Sequence, residues 1–129
     1  MASYSSSNQC ITVQNVNVNS VGDTPVFVPF GKFQVEIVKV TNASVDLSAS
    51  SMTMALYTGP GATGSAIVAA ALPAGLSTAA KVASMTVAVS DAVSGTVVNN
   101  TLRQIYIRNV VAHGSAATVT VIIKILRIP

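Results

Sequence analysis

The strongest constraint on the fold is the alternation of apolar and polar side chains in residues 101–129. A period of two is typical of a β-strand with one face in a core and the other outside. The pattern runs through two segments separated by a turn signal at His113-Gly114-Ser115. The apolar positions are Ile105, Ile107 and Val111, then Val119, Val121, Ile123 and Ile125. We therefore predict a long antiparallel hairpin, which needs a second sheet because two strands are not stable alone.

The preceding hundred residues supply that second layer as short strand-like segments between turn signals. The segments are residues 11–18, 26–30, 33–40, 52–57, 66–72, 83–89 and 97–98. About eight short strands at regular spacing predict an all-β, single-domain antiparallel β-sandwich of the jelly-roll or Ig-like type. We assign residues 10–129 to this domain. Residues 1–9 are polar and serine-rich, and we expect a flexible N-terminal arm there.

Three segments depart from simple alternation. The apolar parity changes between Val13 and Val16, which indicates a bulge or a strand that crosses between sheets. Pro25 and Pro29 bracket a short apolar piece, which belongs at a sheet edge or in an extended connection. Residues 76–88 are alanine-rich and favour a helix by propensity, but their period of two favours a strand, and we predict the strand.

Alternation also assigns faces in two central segments. We expect one face of the strand at residues 33–40 to carry Phe33, Val35 and Ile37 into the core. In residues 52–57 the same argument places Met52, Met54 and Leu56 inside.

The surface of this chain is poor in charge. Charged residues are 9% of the sequence, whereas about a quarter is usual for soluble domains. A free monomer keeps apart from its neighbours with a charged surface. Outward positions here hold Thr, Ser, Asn and Ala instead, so we expect the protein to pack against copies of itself or another protein.

Composition also argues against nucleic-acid and membrane partners. The net charge is +3, but the basic residues are dispersed, aromatic residues are 5% and Trp is absent, unlike a nucleic-acid surface. No run of about 18 apolar residues occurs. The start of the sequence lacks the features of a secretory signal, and Cys10 is the single cysteine. We expect a reducing compartment, or a fold that does not depend on redox state.

Catalytic constellations are missing from the sequence. The acids are Asp23, Glu36, Asp46 and Asp91, and none is paired with another in a strand or motif. Cys10 and His113 would need a third, orienting group to form a nucleophilic dyad, and together they are too few for a zinc site. We therefore expect no enzyme activity, no cofactor, no metal and no catalytic residue.

Residues 59–64 match the glycine pattern of a dinucleotide-binding loop. That fingerprint requires a following helix and an acid about twenty residues later, and the chain offers neither. We interpret the segment as a hairpin loop.

A candidate subunit interface lies on the outward parity of the last strand. Ile122, Leu126 and Ile128 share that parity with Lys124, so a large aliphatic stripe faces outside, as is usual for a contact surface. By the same reasoning Val110, Val38 and Val40 extend the interface to other strands. The alternative is that a loop or the N-terminal segment covers this face within the monomer.

The second half of the chain has a distinctive layout of strings. They are Met54-Ala55-Leu56-Tyr57-Thr58-Gly59-Pro60-Gly61-Ala62-Thr63-Gly64-Ser65-Ala66-Ile67-Val68, the break at residues 72–76, Leu102-Arg103-Gln104-Ile105-Tyr106-Ile107-Arg108 and His113-Gly114-Ser115-Ala116-Ala117-Thr118-Val119-Thr120-Val121. This layout resembles small β-sandwich virion proteins of tailed bacteriophages, which implies synthesis in a host cytoplasm.

This resemblance implies a capsid decoration (cement) protein. Such a protein is not an enzyme, and it sits on the capsid surface of the virion as a homo-oligomer that clamps neighbouring major capsid subunits. The alternative is a receptor- or carbohydrate-binding module of a tail fibre or baseplate. Sugar sites favour exposed aromatic residues, and the chain has only Tyr4, Tyr57 and Tyr106 as tyrosines, so this alternative ranks second.

Overall fold

Every strand that the structure describes pairs antiparallel with its neighbours. The computed structural model describes residues 8–28, 32–48, 50–63, 66–73, 76–78, 82–87, 96–99 and 104–127. This part of the chain contains nine strands and one 3-10 turn at Pro60–Ala62. The strands are β1 (Asn8–Asn17), β2 (Gly22–Phe27), β3 (Lys32–Thr41), β4 (Thr53–Tyr57), β5 (Ala66–Ala71), β6 (Val82–Met85), β7 (Thr96–Asn99), β8 (Gln104–Val111) and β9 (Thr118–Arg127). The predicted all-β sandwich is confirmed.

The strands form two sheets wound from one antiparallel ribbon. Sheet A has the order β1-β9-β3-β6, with β7 pairing to another part of β3, and sheet B has the order β2-β8-β4-β5. The pairs β4·β5, β3·β6, β2·β8 and β1·β9 are nested in sequence. A nested ribbon wound so that its successive pairs alternate between two sheets is a jelly roll. Of the two sandwich types predicted, the topology is therefore the jelly roll.

The predicted C-terminal hairpin is wrong in its pairing. β8 pairs with β2 and β4 in sheet B, whereas β9 pairs with β1 and β3 in sheet A. The connection between them crosses from one sheet to the other. It is fixed there because the His113 N–H donates to the Val18 carbonyl at 2.8 Å and the Val18 N–H donates to the Ala117 carbonyl at 3.1 Å. Alternation identifies each strand and its buried face, but it carries no information about the partner strand.

The core lies between the inward rows of the two sheets. The β9 row of Val119, Val121, Ile123 and Ile125 is buried as predicted, and so are Ile105 and Ile107 of β8. Met52, Met54 and Leu56 are also buried as predicted. Val111 was expected in this core, but it is exposed. It lies at the end of β8, where the pairing with β4 is irregular between Thr53 and Met54.

Two bulges in sheet A decide which side chains face the core. The predicted change of parity in β1 is confirmed, because the β1·β9 register shifts between Val13 and Val16. A second shift, between Val35 and Ile37 of β3, was not predicted. An extra residue in a strand moves every later side chain to the opposite face.

The β3 bulge reverses the predicted faces of its second half. Ile37 was expected inside and is 40% exposed, whereas Val38 and Val40 are 3% and 0% exposed. Both valines therefore belong to the core. Their prediction as subunit-interface residues is wrong, because the strict alternation used to place them does not continue through the bulge.

The other local expectations are met where the structure describes them. β2, with Pro25, is an edge strand of sheet B. The ambiguous alanine-rich segment contains a strand, β6, with Ala83 buried. β1 begins at Asn8, two residues before the predicted domain boundary. The remainder of the predicted arm lies outside the described residues.

A buried amide ties the β1–β2 connection to β8. The Asn109 side chain is buried, and its Nδ2 donates to the Val18 carbonyl at 2.9 Å and to the Ser20 carbonyl at 2.8 Å. Its Oδ1 is buried and has no hydrogen-bond partner within the described ranges. One side chain therefore donates to two carbonyl groups, to Ser20 and, beside the His113 N–H, to Val18.

The β3 bulge predicts that a charged substitution destabilises the fold strongly at Val38 and only weakly at the neighbouring Ile37. Val38→Asp places a charge in the core and should lower the free energy of unfolding by about 3 kcal/mol or more. Ile37→Asp should cost less than about 1 kcal/mol, because Ile37 is already exposed. Urea unfolding followed by circular dichroism measures both. Equal losses, or a larger loss at Ile37, would contradict the bulge.

The Asn109 hydrogen bonds predict a specific response to an isosteric change. Asn109→Asp replaces the Nδ2 donor by a carboxylate oxygen facing two carbonyl oxygens, so we expect a loss of at least about 2 kcal/mol. Asn17→Asp is the matched control, because Asn17 is exposed and its Oδ1 already acts as an acceptor, for the Asn19 N–H at 2.8 Å. The same unfolding measurement applies. A neutral Asn109→Asp would show that these hydrogen bonds do not stabilise the fold.

Candidate functional site

The outer face of sheet A is centred on β9, which has a strand on each side. The register places Cys10 of β1 and Ile37 of β3 on either side of Lys124. Thr12 and Lys39 lie on either side of Ile122 in the same way. Because directly paired residues point to the same side of a sheet, these cross-strand rows form one continuous surface.

The structure divides the predicted interface residues into four groups. Ile122, Lys124 and Leu126 lie half-buried on the outer face of sheet A, the orientation that was predicted. Val110 is half-buried on β8, so it belongs to sheet B and is not part of this face. Val38 and Val40 are in the core, as described above, and Ile128 lies outside the described residues.

Two further aliphatic residues belong to this outer face and were missed. Ile37, which is exposed because of the β3 bulge, is paired with Lys124. Val82 of β6 is paired with Thr41 and is 58% exposed. The period of two in the alanine-rich segment places Val82 on the parity opposite Ala83, which was a usable signal for Val82. Nothing in the pattern signalled Ile37, because the β3 bulge is not visible in the sequence.

Charged side chains lie among these aliphatic residues. Lys39 is exposed, Lys124 is half-buried, and Glu36 is exposed within the bulge. Lysine side chains carry a long apolar stem and can line an apolar contact while the ammonium group stays in water. We name the set Ile37, Val82, Ile122, Lys124 and Leu126 the sheet A face. Chemically it can bury aliphatic area against a partner.

The outer face of sheet B carries the aromatic residues Phe27, Tyr57 and Tyr106 in one region. Tyr57 and Tyr106 are directly paired across β4 and β8, and Pro25 is paired with Tyr106 on the other side. Phe27, which is 64% exposed, is paired with Gln104 in the next row. The Tyr106 hydroxyl donates to Gln104 Oε1 at 2.9 Å. The sequence did not indicate that the two tyrosines are neighbours.

Asp23 links the edge of sheet B to the glycine-rich loop. Its Oδ1 accepts from Arg108 Nη1 at 3.1 Å, and its Oδ2 accepts from the Gly61 N–H at 2.7 Å. Gly61 has φ of +63°, a conformation that favours glycine. The loop connects the paired strands β4 and β5, so the interpretation as a hairpin loop is confirmed. The Asp23 carboxylate has a structural role as an anchor for this loop.

The remaining candidates for chemistry are dispersed. Cys10 is exposed and paired with Lys124 near the start of β1, whereas His113 is bound to Val18, beyond the other end of β1. His113 Nδ1 lies 2.6 Å from the Ser50 hydroxyl. The Ser48 hydroxyl and backbone N–H hold the pKa of the exposed Asp46 below its usual value. Asp91 lies outside the described residues.

Within the described ranges, no three His, Cys, Asp or Glu side chains are grouped closely enough to hold a metal ion. The same part of the chain has no helix with the length and hydropathy needed to cross a membrane. Comparison of the chain with known protein families, with characterised proteins and with solved structures finds no match.

Proposed function

We propose that this chain is a bacteriophage virion structural protein that decorates the capsid surface and stabilises the head through subunit contacts. The observation that carries this proposal is the sheet A face. Its central side chains, Ile122 and Leu126, are aliphatic, and its charged residues are few. Freely soluble monomers rarely expose a contiguous aliphatic surface of this kind.

The mechanism is the burial of aliphatic area between proteins. Each square ångström of apolar surface removed from water contributes roughly 25 cal/mol, so a face this rich in large side chains suits a permanent contact. Copies of this chain and a major capsid protein are the proposed partners. No chemical step is required.

The specific assignment to a virion rests on the resemblance described above, and the fold is compatible with it. Jelly rolls occur in viral capsid proteins and also in lectins. A fold alone does not assign a function. The test is therefore the location of the polypeptide: mass spectrometry of separated head and tail fractions should find it with heads. Its presence only in tail fractions would contradict capsid decoration.

Charge introduced into the sheet A face should abolish assembly. Ile122→Lys combined with Leu126→Lys adds two charges to the centre of the face, and we expect at least a tenfold weaker self-association or binding to purified heads, because a buried unpaired charge costs several kcal/mol. Light scattering and co-sedimentation with heads measure these two outcomes.

The matched control adds the same two charges elsewhere. Val21→Lys with Val111→Lys changes two exposed valines, one in the β1–β2 connection and one on β8, and should leave assembly unchanged. If the Ile122 and Leu126 double variant assembles as the parent protein does, the sheet A face is not the contact surface.

A second candidate function, glycan binding by a receptor-recognition module, is favoured by the aromatic group on sheet B. Tyr57 and Tyr106 lie side by side, and Gln104, Asp23 and Arg108 border them with hydrogen-bonding groups. Aromatic rings with a polar border suit a ligand that has apolar faces and hydroxyl groups.

This candidate predicts binding on a glycan array by the isolated protein. Tyr57→Ala and Tyr106→Ala should each weaken that binding at least tenfold, because each removes a ring from the surface, while Val21→Ala should not change it. An array without any bound glycan would remove this candidate and leave capsid decoration.

A further inference from the structure

β1 lies at one edge of sheet A. Within the described ranges, β1 has a neighbouring strand on one side, β9, and none on the other. Its pairing with β9 is regular from Asn8 to Val13 and then shifts at the bulge. The free side of such a strand presents unpaired N–H and C=O groups, which can pair with a strand of another chain.

This edge lacks the features that usually protect a strand from pairing. Residues 1–22 contain no charged residue and no proline, although lysine and proline are the common edge-protecting residues. The edge strands of sheet B differ. β2 is six residues long and carries Asp23 and Pro25, and β5 is bridged from Val68 to Val87. The regular part of β1 is therefore a poorly protected edge.

The inward side chains of β1 are also incompletely covered. Ile11 and Val13 pack against the core but are only partly buried. Their register partners on β9, Ile123 and Val121, are fully or almost fully buried. The difference arises because β9 has strands on both sides and β1 has one. A further strand beyond β1 would cover Ile11 and Val13 with its own inward row.

We infer that two copies of this chain pair through the free edges of β1, antiparallel and about a two-fold axis, so that sheet A continues from one subunit into the next. The edge is uncharged, so two identical edges meet without like-charge repulsion. In a two-fold contact each subunit contributes the same surface. This inference does not depend on the proposed virion role.

The alternation of faces restricts the register of the paired strands. Directly opposite residues share a face of the sheet, and Cys10 and Thr12 point outward while Ile11 points inward. Cys10 must therefore lie opposite an outward residue of the partner strand. When the overlap is centred on the regular part of β1, two registers satisfy this condition: Cys10 lies opposite either the partner's Cys10 or the partner's Thr12. Opposite residues have Cα atoms about 4.5–5.5 Å apart, which is within the range for a disulfide.

Disulfide trapping tests the pairing. The Thr12→Cys variant, which keeps the native Cys10, holds a cysteine at both outward positions and should form a covalent dimer in either register under mild oxidation. Non-reducing electrophoresis and intact mass measure it. Cys10→Ser combined with Ser84→Cys is the control, because Ser84 is an exposed outward residue of β6 on the same sheet. If the Thr12→Cys variant forms no more dimer than this control, the inference is wrong.

A charge variant tests the same contact without oxidation. Thr12→Lys adds one charge per subunit to this uncharged edge, with its copy two or four residues further along the partner strand in the two registers, and the like-charge repulsion should weaken dimerisation at least tenfold in sedimentation equilibrium, whereas Ser84→Lys should not. Circular dichroism verifies that both variants are folded. A folded Thr12→Lys variant that dimerises as the parent does would overturn the inference. The sheet A face is tested separately by the Ile122→Lys and Leu126→Lys double variant. Failure of the β1 contact is therefore distinguishable from failure of the sheet A face contact.

Discussion

The packing of the inward row of β9 against sheet B is the interaction on which the rest of the structure depends. β9 lies between β1 and β3, and its register with both runs along most of its length. Val121, Ile123 and Ile125 point into the core and are almost completely buried, which contributes roughly 1.5–3 kcal/mol for each side chain. Without β9, β1 would have no partner in the described part of the chain, and sheet A would be lost.

The central position of β9 also explains the proposed function. A strand has two faces, and the face opposite the core must point away from the molecule. On β9 that opposite face carries Ile122, Lys124 and Leu126, and neighbouring strands add Ile37 and Val82. The strand that organises the core therefore also presents aliphatic side chains on the opposite face. The same sheet ends at β1, the edge at which we propose that a second copy of the chain pairs.

Alternation predicted strand faces well where strands were regular. It identified the inward residues of β4 and β9, and it located the β1 bulge, because apolar residues on both sides of that bulge mark the change of parity. It failed in β3, where Val35, Ile37, Val38 and Val40 are all apolar and two parities fit the sequence. Val38 and Val40 were therefore placed on the surface, although the bulge at residue 36 turns them into the core.

Partner strands and cross-strand neighbours could not be predicted in the same way. The assignment of β8 and β9 to a hairpin failed because adjacent strands in sequence often pair, and nothing in their side-chain pattern records the crossing between sheets. The adjacency of Tyr57 and Tyr106 depends on the β4·β8 register, which joins segments that are distant in sequence. The outward orientation of Ile122 and Leu126 was predictable because it needs only the local period.

The central claim is that partner proteins cover the sheet A face. Hydroxyl-radical footprinting with mass spectrometry, applied to the protein in its native assembly and after dissociation, measures side-chain accessibility directly. We predict that Ile37, Val82, Ile122 and Leu126 become protected in the assembly, whereas the exposed Val21 stays reactive. Equal reactivity of these four residues in both states would contradict the claim.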